Sequence, residues 1–143
     1  MKRALVILFG LVVVIGAAAQ FIPVARPNPP VTGDIPAPPE IKALLRNACY
    51  DCHSHETVWP WYSRVAPASW LVAHDVKEGR EHLNFSTWSD YQPMKQAVLL
   101  AGAAEEIEEG EMPLRPYAWM HPKARLTDKQ EEQLATWMKT EGK

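Results

Sequence analysis

The chain's only two cysteines, Cys49 and Cys52, lie three residues apart, and His53 follows directly on the second. Side chains at this spacing share a face of one helical turn, so all three residues are held to a common task. A disulfide would account for the cysteines and leave His53 to chance. A structural zinc site needs four ligands; lacking a second cysteine pair, it would have to recruit His55, His74, His82 or His121, none at a common finger spacing. A thioredoxin-like pair sits in an alternating α/β pattern, and no such alternation runs through this sequence. The arrangement that requires all three residues is C-x-x-C-H, the attachment pattern of c-type haem. Each sulfur reaches one vinyl group of a single porphyrin, and the next residue lies under the iron as an axial imidazole. Cys49 and Cys52 are the expected thioether positions and His53 the expected fifth ligand of one covalent haem per chain.

That chemistry takes place outside the cytoplasm, and the N-terminus supplies a route there. After Lys2 and Arg3 no charged residue occurs until Arg26, which marks residues 1–25 as a signal peptide or a membrane anchor. Ala17, Ala18 and Ala19 before Gln20 offer a cleavage site. The apolar run nevertheless continues through Phe21, Ile22 and Val24, reaching the ~20 residues that span a bilayer, which favours an uncleaved anchor with its basic end in the cytoplasm. Either outcome gives a periplasmic or otherwise extracytoplasmic protein. Residues 26–39 hold six prolines and cannot form a continuous hydrogen-bond ladder. As polyproline II at ~3.1 Å per residue they make a spacer of about 40 Å; the alternative is a wrap lying against the domain.

The folded part is then residues 40–143, one small domain for which a haem would supply much of the apolar core. Removing Lys2 and Arg3 from the fifteen basic residues leaves thirteen against seventeen acidic ones, which is no charge pattern for a nucleic-acid binder. Four helices can be read in it, over 39–53, 67–81, 89–110 and 127–143, with no competing strand pattern. Pro39 and Pro67 suit first helical positions, Gly110 suits a helix exit, and Thr127 with Gln130 forms a capping box. The expectation is an all-α, small cytochrome c-like domain around a covalent haem, preceded by an apolar helix and a Pro-rich linker.

The sixth ligand decides the chemistry. Met112 falls in a loop stiffened by Pro113 and Pro116 before the last helix, and is the preferred candidate; His74, His82 and His121 are the alternatives. Met94 and Met138 read as packing residues. Trp59, Trp61 and Tyr62, close after the attachment site, are candidates for a porphyrin wall, and Arg64 for a propionate partner. Glu105, Glu106, Glu108, Glu109 and Glu111 precede Met112 and are candidates for steering a basic partner.

With these residues in view, the sequence resembles the bacterial haem-binding domain family of envelope proteins, through Asn47–Trp88 and again through Glu111–Gln130. The resemblance implies a covalent c-type haem at Cys49, Cys52 and His53. The functional expectation is a cytochrome that exchanges electrons with a redox partner protein in the cell envelope. A six-coordinate iron would leave no open position for substrate, making it a carrier and not an enzyme. The alternatives are a haem enzyme or a gas or redox sensor with an open sixth site, and a haem-bearing structural subunit of a larger complex.

Overall fold

Turn and cap chemistry divides the described residues into seven α-helices. The computed structural model describes residues 1–141, and no strand occurs among them. The helices are α1 (Lys2–Ala19), α2 (Pro39–Ala48), α3 (Tyr50–His53), α4 (Ala68–His82), α5 (Pro93–Glu108), α6 (Arg115–Met120) and α7 (Asp128–Glu141), with short 3-10 turns at Trp61–Arg64, Trp88–Asp90 and Pro122–Ala124. The all-α expectation holds, and the boundaries follow local chemistry. Pro39 opens α2, with Glu40 in its first turn and Arg46 in its last, each placed to complement the helix dipole. At α7 the Thr127 N–H donates to Gln130 Oε1 at 2.9 Å while the Gln130 N–H returns to the Thr127 hydroxyl at 3.4 Å, a reciprocal capping box.

The third helix opens later than the sequence suggests. Pro93 disfavours helical geometry in the residue before it, and Gln92 is extended (φ −66°, ψ 150°). Residues 88–90 instead form a 3-10 turn. The short helix α6, which the sequence reading leaves as loop, starts where Leu114 is extended ahead of Arg115 and Pro116.

The core is built mainly where α2, α5 and α7 meet. Ile41, Leu44 and Leu45 pack with Leu100, Ala104 and Ile107 and with Leu134, Ala135 and Met138. Met138 is thus the packing residue expected. Met94 is not: at the second position of α5 it is 81% exposed. Tyr50 and Phe85 close the other end of the core with rings stacked 5.2 Å apart. This places the Cys49–His53 segment directly on the core.

The Pro-rich segment lies against the domain. Arg26 donates to the Ser63 carbonyl (3.0 Å), Asn28 to that of Thr57 (2.9 Å) and His55 Nδ1 to that of Pro30 (2.9 Å). Arg80 reaches it from α4, donating to the Pro27 carbonyl and Asn28 Oδ1 while also bonding the Ser54 carbonyl and the Thr57 hydroxyl. Farther along, Gly33 and Thr87 form an isolated parallel bridge, with a Cβ at Gly33 falling 1.9 Å from Ser89 Oγ. Only glycine lets the two segments approach this closely. The segment is therefore a strap, with polar side chains satisfying carbonyls that its prolines cannot pair.

Helix α1 has no buried residue. It is long and apolar enough to cross a membrane, as a signal sequence also is.

Candidate functional site

Cys49 to His53 end one helical run and begin a second, short one. The Cys49 N–H closes α2 onto the Leu45 carbonyl (2.8 Å), and the Cys49 carbonyl accepts from the N–H groups of both Cys52 (3.1 Å) and His53 (2.9 Å). The turn thus brings the backbones of Cys49, Cys52 and His53 onto one carbonyl. Cys49 packs toward the core, whereas Cys52 and His53 line a cavity of about 570 Å³.

The imidazole is oriented from behind. His53 Nδ1 lies 3.0 Å from the Leu83 carbonyl. A carbonyl can only accept, so Nδ1 carries the hydrogen and Nε2 keeps its lone pair. This backbone contact is of the kind that fixes tautomer and ring direction in metal-ligating histidines. Burial lowers the His53 pKa, outweighing the Leu83 and Gly79 carbonyl contacts that would raise it, which favours the neutral ligating form.

Burial, with a smaller push from Cys52, raises the Cys49 thiol to about 12. Burial, then Asp51 and Asp75, raises Cys52 to about 12 as well. Free thiols in this setting are protonated at neutral pH, unlike the thiolates used in zinc binding or disulfide exchange. No group of three or more His, Cys, Asp or Glu among the described residues could hold a metal ion.

Gly79 lets α4 approach the attachment turn. A Cβ there would lie 2.7 Å from the Cys52 carbonyl oxygen and 3.1 Å from the Cys52 Cβ. Gly79→Ala is expected to cost about 1–3 kcal/mol through overpacking, more than the ~1 kcal/mol gained in helix propensity. A lowered urea midpoint together with a smaller haem-loaded fraction would report it; an unchanged midpoint would mean that the contact relaxes freely.

The opposite wall of the cavity belongs to α5 and the loop after it. Val98, Leu99, Gly102 and Ala103 line it, with Met112, Pro113, Leu114 and Tyr117 beyond. Gly102 has no atom within 4 Å of where its Cβ would stand, leaving room along the wall. Met112 is delivered by the way α5 ends. Gly110 adopts φ +73°, its N–H bonds the Ile107 carbonyl (3.1 Å), and the Glu111 N–H bonds the Glu106 carbonyl (3.0 Å), the two bonds of a Schellman motif. The Met112 N–H joins the same Glu106 carbonyl at 3.1 Å. The chain is thereby turned back, and Met112 is partly buried against the core.

Of the other ligand candidates, His74 and His82 line the cavity from α4, both as exposed residues. His121 does not line it. Its Nδ1 donates to the Tyr117 carbonyl (3.0 Å), and its Nε2 accepts from the Tyr62 hydroxyl (3.3 Å). The structure does not bring Trp59, Trp61, Tyr62 or Arg64 to the cavity lining. Trp59 Nε1 bonds Asn28 of the strap at 3.3 Å, Trp61 is 73% exposed, and Arg64 is exposed.

The aromatic residue at the cavity is Tyr117, which sequence reading missed. Its hydroxyl donates to Asp51 Oδ2 at 2.8 Å, tying α6 to the residue between the two cysteines. Gly79 and Gly102 were also missed, although a glycine inside a helix is itself a signal of close approach. The charged residues at the mouth are Asp75, Glu78, Glu105 and Glu106, with no Lys or Arg among the described lining residues. Glu108, also considered for partner steering, is paired with Lys139 at 2.6 Å.

A flat apolar group with one axial imidazole fits this donor set. Cys52 and the backbone-oriented imidazole of His53 line one side, Cys49 lies one turn earlier against the core, and Met112 and the apolar side chains of α5 line the rest. A family model described as a haem-binding domain matches residues 14–140. Among curated proteins and solved structures nothing matches.

Proposed function

Because this chain belongs to the haem-binding domain family, we propose that it carries one c-type haem, bound through Cys49 and Cys52, and passes electrons in the cell envelope. The observation that carries this reading is that Cys52, His53 and Met112 line a single cavity, with the His53 Nδ1 hydrogen bonded to Leu83. Bound there, haem would supply a one-electron ferric/ferrous couple. The chain's residues would do the rest. Cys49 and Cys52 would fix the group, and His53 and Met112 would be its protein ligands, the soft Met112 thioether favouring the ferrous state. Val98, Leu99 and Leu114 would give the bound group an apolar wall on one side. Helix α1, read as an uncleaved anchor, would keep the domain at the extracytoplasmic membrane surface.

Visible spectra of the exported protein, with and without carbon monoxide, test this. A low-spin spectrum in both oxidation states, with no carbon monoxide adduct, is the expected result. Ready adduct formation would instead favour the sensor or enzyme alternative. A bis-histidine variant of the carrier reading is supported by the presence of His74 and His82 on the cavity lining.

The acidic mouth has its own consequence. Carboxylates near the iron stabilise the more positive ferric state and oppose the effect of a thioether ligand. Glu105→Gln with Glu106→Gln should raise the midpoint potential by on the order of tens of millivolts, with a smaller rise at high salt. Potentiometric titration reads both; a fall in potential would contradict the charge argument.

A further inference from the structure

Helix α1 ends against the domain. Gln20 Nε2 donates to the Ala66 carbonyl (3.2 Å) and the Ala66 N–H donates back to Gln20 Oε1 (3.0 Å). Six residues on, Arg26 bonds the Ser63 carbonyl. The segment carrying Ser63 and Ala66 is therefore held at the level of the end of α1. Around that pin the surface is apolar in a way the core does not explain. Trp61 is 73% exposed, Val65 44%, Trp70 39% and Leu71 59%, beside Phe21 at 87% and Ile22 at 55%. Helix α4 buries Ser69, Val76 and Gly79, so Trp70 and Leu71 lie off its packed face.

The length of α1 says what meets this surface. Eighteen residues at 1.5 Å each reach about 27 Å, close to the ~30 Å hydrocarbon thickness. With Lys2 and Arg3 held at one surface, Gln20 stands at the opposite headgroup layer. Tryptophan is enriched at that depth, where its ring is apolar and its N–H can meet water or headgroups. Arg26 and the exposed Arg64 flank the patch with charge suited to phosphate.

We infer that the face formed by Trp61, Val65, Trp70 and Leu71 seats in the headgroup layer of the bilayer that α1 crosses, so that the haem domain lies on the membrane in a fixed attitude. This rests on reading α1 as an uncleaved anchor. The bonded strap removes the reach of a free linker, and His74 borders both the haem cavity and the hollow between strap and α4. A redox partner would then meet the cavity at a set height above the lipid.

The test uses the full haem-loaded chain in nanodiscs of phosphatidylcholine and phosphatidylglycerol carrying a diazirine near the headgroup end of the acyl chain. Illumination, digestion and mass spectrometry locate the adducts. Adducts are expected on α1 and on residues 58–71, and Trp61→Ser with Leu71→Ser should lose those on 58–71 while keeping those on α1. Adducts confined to α1 overturn the inference, as does a stable dimer whose cross-links join the 61–71 faces of two copies. The intact mass decides the anchor separately. A chain beginning at Gln20 removes the anchor reading, and labelling or non-labelling of 58–71 on the same lipid then still decides for or against docking.

Discussion

The double replacement Cys49→Ala with Cys52→Ala is expected to leave no haem on the polypeptide after denaturing electrophoresis, a complete loss read by peroxidase staining. Each thioether requires its own sulfur, and these are the chain's only cysteines. Either single replacement should keep one bond and so retain some stain. The His53 nitrogen and the apolar wall of α5 remain in the double variant, so haem added in solution should still associate reversibly and shift the Soret band. Without the proposed covalent link, haem would act as a ligand whose stabilisation depends on its concentration. The melting temperature of the double variant should therefore rise with added haem, while that of the parent should not. Covalent stain persisting in the double variant would remove the basis of the c-type assignment.

What the sequence disclosed about this site was mostly local. The Cys49–His53 turn, the Thr127–Gln130 capping box and the Gly110 exit each depend on residues within a few positions of one another, and the structure contains the corresponding turn, box and left-handed glycine. Contacts between distant residues were harder to read. Pro-rich composition is equally compatible with a free spacer and a bound strap, because the difference lies in partners such as Arg80 and His55, located 52 and 25 residues from the strap atoms they bond. Trp59, Trp61 and Tyr62 lie close to the attachment site in sequence, yet the chain turns them toward strap, solvent and His121. The cavity's aromatic residue, Tyr117, comes instead from 66 residues beyond its partner Asp51. Nor could hydropathy alone tell Trp70 and Leu71, which are exposed on α4, from a packed face. Apolar side chains serve a bilayer and a core equally well.

Met112→Ala is expected to open the sixth coordination position, giving a high-spin ferric spectrum and a ferrous form that binds carbon monoxide readily. The Schellman closure of α5 holds the Met112 backbone on the Glu106 carbonyl and so sets the side chain at the cavity independently of any ligand. Truncation to alanine leaves that backbone geometry in place and removes only the thioether and its packing. Because Met112 is only partly buried, the stability cost should fall below the ~2–5 kcal/mol of a fully buried Met→Ala change. Met138→Ala is the matched control: at 1% exposure in the core, it should cost that full amount and leave the spectrum intact. The two variants separate ligation from packing, since one moves the spectrum more than the stability and the other does the reverse. His74 and His82 line the same cavity, so either could capture the iron once Met112 is gone, which would appear as a low-spin spectrum with a lowered potential. Combining Met112→Ala with His74→Ala and His82→Ala should then restore the high-spin form. If Met112→Ala leaves the parent spectrum unchanged and His74→Ala alters it, the iron is bis-histidine, and the Schellman loop serves packing alone.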